Sequence, residues 1–125
     1  MHRKKVDHEN SKHDYDSLND TFYAYELNQE YMSSLIFGNI IMDMNEDKEF
    51  IGIEILNASE NFDVSSYEFI TPITLKVHYL ITDEEVKLDV MFTFVKRNKS
   101  IVRTISATGV NDMNLAPASA ILALA

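Results

Sequence analysis

The sequence predicts a mainly β protein, or an α+β protein with one or two short helices, in which antiparallel hairpins and a meander share a single core. Apolar and polar residues alternate with a period of two in several segments, most regularly from Ile73 to Thr82. Short polar stretches of hairpin length separate these segments. With 125 residues, 46% of them apolar, the chain has the size and composition of one folded domain.

The organisation of the chain follows from where the alternation begins and ends. Residues 1–13, MHRKKVDHENSKH, contain one aliphatic residue besides the initial methionine, so they cannot bury enough surface to offset the entropy lost on ordering. We predict a disordered, basic, histidine-containing arm there and a single β-rich domain over residues 14–125. Within it we expect a hairpin region at 14–60, a three-stranded meander at 72–110 and an apolar C-terminal segment at 113–125.

The first elements of the domain are a turn and several short strands. Residues 14–20, DYDSLND, favour a turn, because their short polar side chains bond to nearby backbone amides. Residues 21–27, TFYAYEL, predict a strand with Tyr23 and Tyr25 on one face. Residues 32–44 predict either two strands or one strand bent by a bulge at its glycine, and the sequence favours neither.

The next strand follows the polar loop NEDKE at 45–49, which is typical of a hairpin. Residues 50–56, FIGIEIL, alternate so that three isoleucines lie on one face and Glu54 lies on the other. One glutamate on such a strand is commonly the polar residue of a solvated face. Glu54 is therefore either a functional carboxylate or a residue that simply faces water.

The C-terminal half has the clearest strand pattern. Residues 73–82, 86–95 and 101–108 alternate in the same way and are joined by turns of hairpin length, which predicts the three-stranded meander. Between the two halves, residues 57–71 are polar with scattered aromatics and favour a connection with a short helical turn. The final segment, NLAPASAILALA, predicts a short helix with Pro117 in its first turn, because proline is tolerated there and alanine and leucine favour helix.

Several residues of the first half resemble a known family. The pair Tyr15-Asp16, together with Asp20, Tyr23 and Asp43, precedes the segment Gly-Ile-Glu-Ile-Leu-Asn-Ala-Ser at residues 52–59. This pattern, over roughly residues 14–60, is similar to a prokaryotic family called domain of unknown function 2283.

The resemblance implies a small β-rich fold and no assigned activity, so function has to be argued from sites. The chain departs from the family in two ways. The loop at 45–49 lacks the glycine that members usually carry there, and residues 72–125 are an addition that short members lack.

The charge of the chain argues against nucleic acid as a partner. The net charge is −9, whereas general affinity for nucleic-acid phosphates requires an excess of Lys and Arg. Residues 14–70 hold thirteen acidic residues and one basic residue. The acidic surplus therefore belongs to the middle of the chain, where we expect an acidic face offered to a protein partner or to a second copy.

Composition also bears on the compartment. The chain contains no cysteine, which excludes disulfides and thiolate metal sites and suits a reducing environment. No apolar run is long enough to span a bilayer, and the N-terminus lacks the apolar region of a secretory signal. We therefore expect a cytoplasmic protein that does not enter a membrane.

Four carboxylates are the candidate ligand-binding residues: Asp16, Asp20, Asp43 and Glu54. As hard oxygen ligands they could hold magnesium or calcium, but the Asp-x-Asp-x-Asp-Gly loop of a calcium site is absent, and we assign no metal or cofactor. A third role for Glu54 is to accept backbone amides from the turn at Asp16 and so fix how that turn docks.

The sequence lacks the local signatures of enzymes. There is no glycine-rich phosphate loop, serine elbow, paired-histidine zinc helix or dinucleotide fingerprint. His78 and Asp89 lie on matching sides of neighbouring strands, so we expect a cross-strand pair there and not a catalytic dyad. We assign no catalytic residue and favour a protein that is not an enzyme.

A cluster of basic residues follows the acidic middle of the chain. Lys96, Arg97, Lys99 and Arg103 surround one predicted turn, and we expect this patch to face the acidic half of a second copy. The sequence thus favours an interaction module that forms a homodimer. The alternative is a domain that binds a divalent metal or small ligand through the four carboxylates.

Overall fold

The structure, a computed structural model, describes residues 11–70 and 73–124. In this part of the chain nine strands form two antiparallel sheets, with one short α-helix and one 3₁₀ helix between them. Residues 1–10 of the predicted arm lie outside the described residues, as does Pro72 at the start of the predicted meander. The prediction of a mainly β fold is confirmed.

The first sheet has five strands in the order β1-β2-β5-β4-β3. Their bounds are Ser11–Asp16 (β1), Thr21–Glu26 (β2), Ser33–Phe37 (β3), Ile40–Met44 (β4) and Phe50–Ile55 (β5). Residues 32–44 thus form two strands. The predicted arm boundary at residue 13 was wrong, because β1 begins at Ser11 and pairs Ser11 with Glu26. Residues 11–13 belong to the sheet through this pairing with β2.

The remaining elements build the second sheet and its connection. Helix α1 spans Ala58–Phe62 and a 3₁₀ helix spans Ser66–Ile70. They lead to β6 (Ile73–Ile81), β7 (Glu85–Lys96), β8 (Lys99–Val110) and β9 (Ala118–Ala123), which lie in the order β8-β7-β6-β9. None of the helices in the described residues is long and apolar enough to cross a membrane.

Alternation along β5 is interrupted by a shift in pairing. Asp43 lies opposite Gly52 but Met44 lies opposite Phe50, so β5 carries one extra residue at this point. As a result Phe50 joins the core with Ile53 and Ile55, whereas Ile51 is buried away from that core cluster. The prediction that Ile51 shares a face with the other isoleucines was therefore wrong, and the bulge is the reason.

The meander predicted for the second half is confirmed by the strands β6, β7 and β8. The link between β7 and β8 is a two-residue loop in which Arg97 and Asn98 both have left-handed backbone angles, with φ of 53° and 62°. This conformation matches the twist of the flanking strands. It brings the four predicted patch residues to one end of the second sheet.

The predicted C-terminal helix was wrong, because residues 118–123 form strand β9 on the edge of the second sheet. Leu122 lies opposite Val77 and is fully buried, as is Leu124. A helix of this length gains little by itself, whereas a strand here satisfies the edge of β6 and places its leucines in the core.

Aromatic side chains join the two sheets into one core. Phe50 on β5 meets Tyr79 on β6 edge to face, with ring centroids 4.9 Å apart. Phe69 of the 3₁₀ helix lies 5.6 Å from Phe22 on β2 and 4.7 Å from Phe92 on β7. These contacts leave the outer face of each sheet to the solvent, and the first sheet's outer face carries the candidate site.

Candidate ligand-binding site

The outer face of the first sheet holds a shallow cavity built around one glycine. Tyr25 on β2 and Asp43 on β4 both lie opposite Gly52 on β5. Because these antiparallel strands present alternate residues to the same face, the space above Gly52 is left open between a tyrosine and a carboxylate. Glu54, two residues further along β5, lies between Tyr23 and Ile41.

We call this cavity the Gly52 cup. Its volume is about 300 Å³, and its lining includes Tyr23, Tyr25, Tyr31, Asp43, Gly52 and Glu54. A Cβ atom added at Gly52 would lie 3.1 Å from the backbone oxygen of Ala24 and 3.1 Å from the Cβ of Tyr25. A side chain at this position would therefore crowd β2, and it would also fill the floor of the cup.

A chain of hydrogen bonds orients one of the two carboxyl groups. The Ser34 hydroxyl donates to Asp43 Oδ1 at 2.8 Å, and the Tyr31 hydroxyl lies 2.9 Å from the same serine Oγ. Ser34 is placed to do this because β3 pairs it directly with Asp43. The Asp43 carboxyl is thus held in position at the wall of the cup.

The second carboxyl group, Glu54, is coupled to the first. Burial raises the pKa of Glu54 above its ordinary value, and the negative charge of Asp43 and a hydrogen bond between the two side chains raise it further. Glu54 therefore keeps its proton to a higher pH than an ordinary glutamate does.

The other two predicted carboxylates lie elsewhere and have structural roles. Asp20 accepts hydrogen bonds from the Tyr15 hydroxyl at 2.6 Å, from the Ser59 amide at 3.0 Å and from the Ser59 hydroxyl at 2.8 Å. Burial alone would raise the pKa of Asp20, but these hydrogen bonds lower it below its usual value. Asp20 thereby docks the β1–β2 turn on the start of α1.

Asp16 stabilises the β1–β2 turn locally. Its carboxylate accepts from the backbone amide of Leu18 at 3.0 Å and from the side-chain amide of Asn19 at 2.8 Å. These hydrogen bonds hold the pKa of Asp16 below its usual value. Of the hydrogen bonds in the described residues, those that dock this turn on α1 go to Asp20, and none joins the turn to Glu54.

The predicted four-carboxylate set is therefore divided between two places. Asp43 and Glu54 share the Gly52 cup, whereas Asp16 and Asp20 belong to the β1–β2 turn. Within residues 11–70 and 73–124 no group of three or more His, Asp or Glu side chains is arranged to hold a metal ion. What the structure brings together is one carboxyl pair with tyrosines around it.

The remaining sequence-predicted residues lie on the second sheet. His78 is directly opposite Asp89, as expected, and Asp89 accepts a hydrogen bond of 2.6 Å from the Ser106 hydroxyl. Across the three neighbouring strands, Asp89 therefore lies between His78 and Ser106. A histidine that activates a serine must contact the serine directly, so this order does not form a catalytic triad. In the basic patch, Lys96 Nζ lies 3.5 Å from Glu68 Oε1. One of the four positive charges of the patch is therefore balanced within the chain.

Sequence reasoning missed Tyr31, which lines the cup, and Ser34, which holds the Asp43 carboxyl in place. Tyr31 lies just before β3, and Ser34 lies in its first residues. The sequence left the boundaries of this strand open. The signal that could have found them is the pairing of β3 with β4, since Ser34 opposite Asp43 follows once the turn at Gly38 is fixed. Gly52 itself was visible as a lone glycine in a strand, which indicates a close approach of other backbone.

The fold and the cup together define a small, two-sheet β protein with a cavity of about 300 Å³ on the outer face of its first sheet. Residues 12–59, from β1 to the start of α1, match the family described as "Protein of unknown function (DUF2283)".

Two relatives align over most of the chain. This chain is 32% identical over 105 residues to a Methanosarcina mazei protein named "Putative hypoxanthine phosphoribosyltransferase", with 84% of this chain and 85% of the relative covered. It is 30% identical over 105 residues to an uncharacterized protein of Methanocaldococcus jannaschii, with 83% and 90% covered.

The chain belongs to the DUF2283 family, and the resemblance seen in the sequence is confirmed. Both alignments are longer than the family match, so they extend beyond the first sheet. No solved structure matches the chain at a significant level.

Proposed function

We propose that this protein is a binding module without catalytic activity, and that the Gly52 cup receives a positively charged group of its ligand or protein partner. The observation that carries the proposal is the carboxyl pair Asp43 and Glu54 on the wall of a cavity floored by glycine and flanked by tyrosines. The proposal assigns the acidic, partner-facing surface expected from the sequence to this cup.

The lining of the cup supports a lysine or arginine side chain, or a small organic cation, as the bound group. A guanidinium or ammonium group donates several hydrogen bonds, which carboxylate oxygens accept. The faces of tyrosine rings attract cations further, by about 0.5–2 kcal/mol depending on how well water is excluded. With a volume of about 300 Å³, the cup lies at the small end of ligand sites, which suits one side chain better than a large cofactor.

The proposal predicts a pH dependence of binding. Because the pKa of Glu54 is raised, the empty cup retains a proton at a pH where an ordinary glutamate has lost it. A cation favours the doubly ionised pair, so binding strengthens as the pH rises through the pKa of Glu54, and protons are released on binding.

The experiment is an NMR titration of the labelled protein with N-acetyl-arginine methylamide and N-acetyl-lysine methylamide, using N-acetyl-citrulline methylamide as the uncharged analogue. We expect the amide signals of Gly52 and Glu54 to move with the charged probes only. Glu54→Gln and Asp43→Asn keep the shape of the side chains and remove the charge. Each should weaken binding about tenfold, equivalent to about 1.4 kcal/mol.

The matched control is Asp89→Asn, which makes the same chemical change at an exposed carboxylate on the outer face of the second sheet. It should leave the affinity for both probes unchanged. Equal response to the arginine and citrulline probes, or equal loss of affinity in Asp89→Asn and Asp43→Asn, would refute a charge-selective cup.

Two other candidate functions have less support from the geometry. A divalent metal bound by all four carboxylates is disfavoured, because Asp16 and Asp20 are engaged in the β1–β2 turn. The name of the Methanosarcina relative suggests phosphoribosyl transfer to hypoxanthine, but the cup presents carboxylates, which repel phosphate groups. The absence of cysteine supports the cytoplasm as the compartment of the proposed module.

A further inference from the structure

Strand β8 forms the longer of the two edges of the second sheet. Its twelve residues pair with β7 along their whole length, from Lys99 opposite Lys96 to Val110 opposite Glu85. On the other side of β8, the described residues include no strand that pairs with it. The backbone N–H and C=O groups of alternate residues therefore point outward along this edge.

The C-terminal half of β8 lacks the usual protection of an exposed edge. Soluble proteins commonly place charges, proline or a bulge on such a strand to prevent pairing with another chain. Here residues 104–110, TISATGV, contain no charge and no proline, and the pairing with β7 is regular throughout. Val102 and Val110 are 55% and 73% exposed. The strand is thus suited to accept another strand.

The two ends of this edge carry opposite charge. We call Lys96, Arg97, Lys99 and Arg103 the basic turn, because they lie at the β7–β8 turn and the start of β8. At the other end lie Asp83 and Glu84, which with Asp112 we call the acidic turn. Glu85 lies beside them but is paired with Lys87 at 3.3 Å. A hydrogen bond of 2.9 Å from the Asn111 amide to the Glu84 backbone oxygen holds the chain near Asp112 beside that turn.

We propose that β8 pairs antiparallel with β8 of a second copy of this chain about a two-fold axis near Ile105, so that two four-stranded sheets become one continuous sheet. This arrangement places the basic turn of each copy beside the acidic turn of the other. The charge pattern along the edge is therefore complementary to itself, which is the property a symmetric dimer interface requires.

The charges also exclude one register of the pairing. An axis at Arg103 would set the two Arg103 side chains directly opposite each other, and like charges in that position are destabilising. An axis at Ile105 places Arg103 opposite Ala107 and Val102 opposite Thr108. In this register the uncharged residues 104–106 form the centre of the interface. Each Arg103 lies two residues from the axis, opposite an uncharged alanine, and the other charges lie at the ends.

The dimer uses a surface separate from the Gly52 cup, which lies on the first sheet, so it does not depend on the proposed ligand. It agrees with the homodimer expected from the sequence but changes the contact. The basic turn meets the acidic turn of the second sheet, and not the acidic half of the chain that forms the first sheet.

The test is sedimentation of three proteins: the wild type, the variant Arg97→Glu/Lys99→Glu, and the variant Asp83→Lys/Glu84→Lys. We expect a wild-type dimer that weakens as salt screens the end charges, to a Debye length of about 3 Å at 1 M. Each variant alone sets like charges against like and should be monomeric. An equimolar mixture of the two variants should form a heterodimer, because every end contact is again between opposite charges.

Recovery in the mixture separates loss of complementarity from loss of folding, since a misfolded variant would not be rescued by its partner. Lys76→Glu is the control, because it reverses an exposed charge on β6, two strands away from the edge. It should leave the dimer intact. A monomeric wild type at every concentration would overturn the proposal, as would a dimer unaffected by both reversals or variants that remain monomers when mixed.

Discussion

At the scale of single residues, Lys48 has a backbone conformation that glycine adopts at lower cost. Its φ is 60°, in the left-handed region, within the loop that joins β4 to β5. This loop contains no glycine. The structure locates the consequence at Lys48, where a side chain with a Cβ costs roughly 1–2 kcal/mol relative to glycine.

Lys48→Gly is therefore expected to be more stable than Lys48→Ala by about 1 kcal/mol. Both variants lose the hydrogen bond of 3.0 Å from Lys48 Nζ to the Met113 backbone oxygen, so the alanine variant controls for that contact. Urea unfolding measures the difference. An alanine variant as stable as the glycine variant would contradict a backbone cost at this position.

The carboxylates illustrate how far single residues can be predicted from sequence. Alternation placed Glu54 on the less apolar face, and the structure agrees. Its coupling to Asp43 depends on the register between β4 and β5, which one sequence does not specify when the connecting loop has an unusual residue such as Lys48. Asp20 appeared as one acidic residue among several, because its partner Ser59 lies 39 positions away.

At the scale of elements, Asp20 connects the β1–β2 turn to α1, and this contact predicts an effect of pH on stability. The pKa of Asp20 is lowered in the folded state, so its contribution to stability is fully present above the ordinary value near 3.8 and is lost as the pH falls through the lowered pKa. Asp20→Asn should cost about 1–3 kcal/mol at pH 7, the range for hydrogen bonds to a charged group.

The cost of Asp20→Asn should shrink as the pH falls below the ordinary value near 3.8, because the unfolded wild-type chain then binds a proton that the folded state binds only at lower pH. Urea unfolding at pH 7 and at a series of pH values below 4 measures this change. Asp63→Asn is the matched control, since Asp63 is exposed and also has a left-handed backbone, with φ of 54° against 52° for Asp20. Asn suits this backbone at both positions. A similar cost in the two variants would show that the Asp20 hydrogen bonds do not stabilise the fold.

Strands in which apolar and polar residues alternate over many residues were predictable from the sequence, and strands without such alternation were not. The strands β6, β7 and β8 follow from alternation over nine to twelve residues each. Strand β9 was predicted as a helix, because alanine and leucine favour helix locally and the vacant edge of β6 is not visible in the sequence. Pairing with a neighbouring strand outweighed the local preference.

At the scale of the whole molecule, the Gly52 cup and the β8 edge lie on different sheets. The first sheet corresponds to the family match at residues 12–59 and carries the Gly52 cup on its outer face. The second sheet supplies the other half of the core and the β8 edge. Short segments cannot specify this arrangement, because it rests on contacts such as Phe50 with Tyr79 that join residues far apart in the chain.

The contact between Phe37 and Gly109 joins the edges of the two sheets and gives a prediction for the assembled fold. Phe37 ends β3 in the first sheet, and its ring occupies the space where a Cβ of residue 109 on β8 would lie. Gly109→Ala should therefore destabilise the protein by about 1–3 kcal/mol, as expected when a tightly packed site is overfilled.

A double-mutant cycle with Phe37→Leu tests whether that cost arises from the ring. Leucine leaves more room above residue 109, so Gly109→Ala should cost at least 1 kcal/mol less in the Phe37→Leu background, within the range of coupling between residues in contact. Thermal or urea unfolding of the four proteins gives the coupling. If the two changes add without coupling, the glycine is required by β8 itself, and the corner where β3 meets β8 does not hold the sheets together.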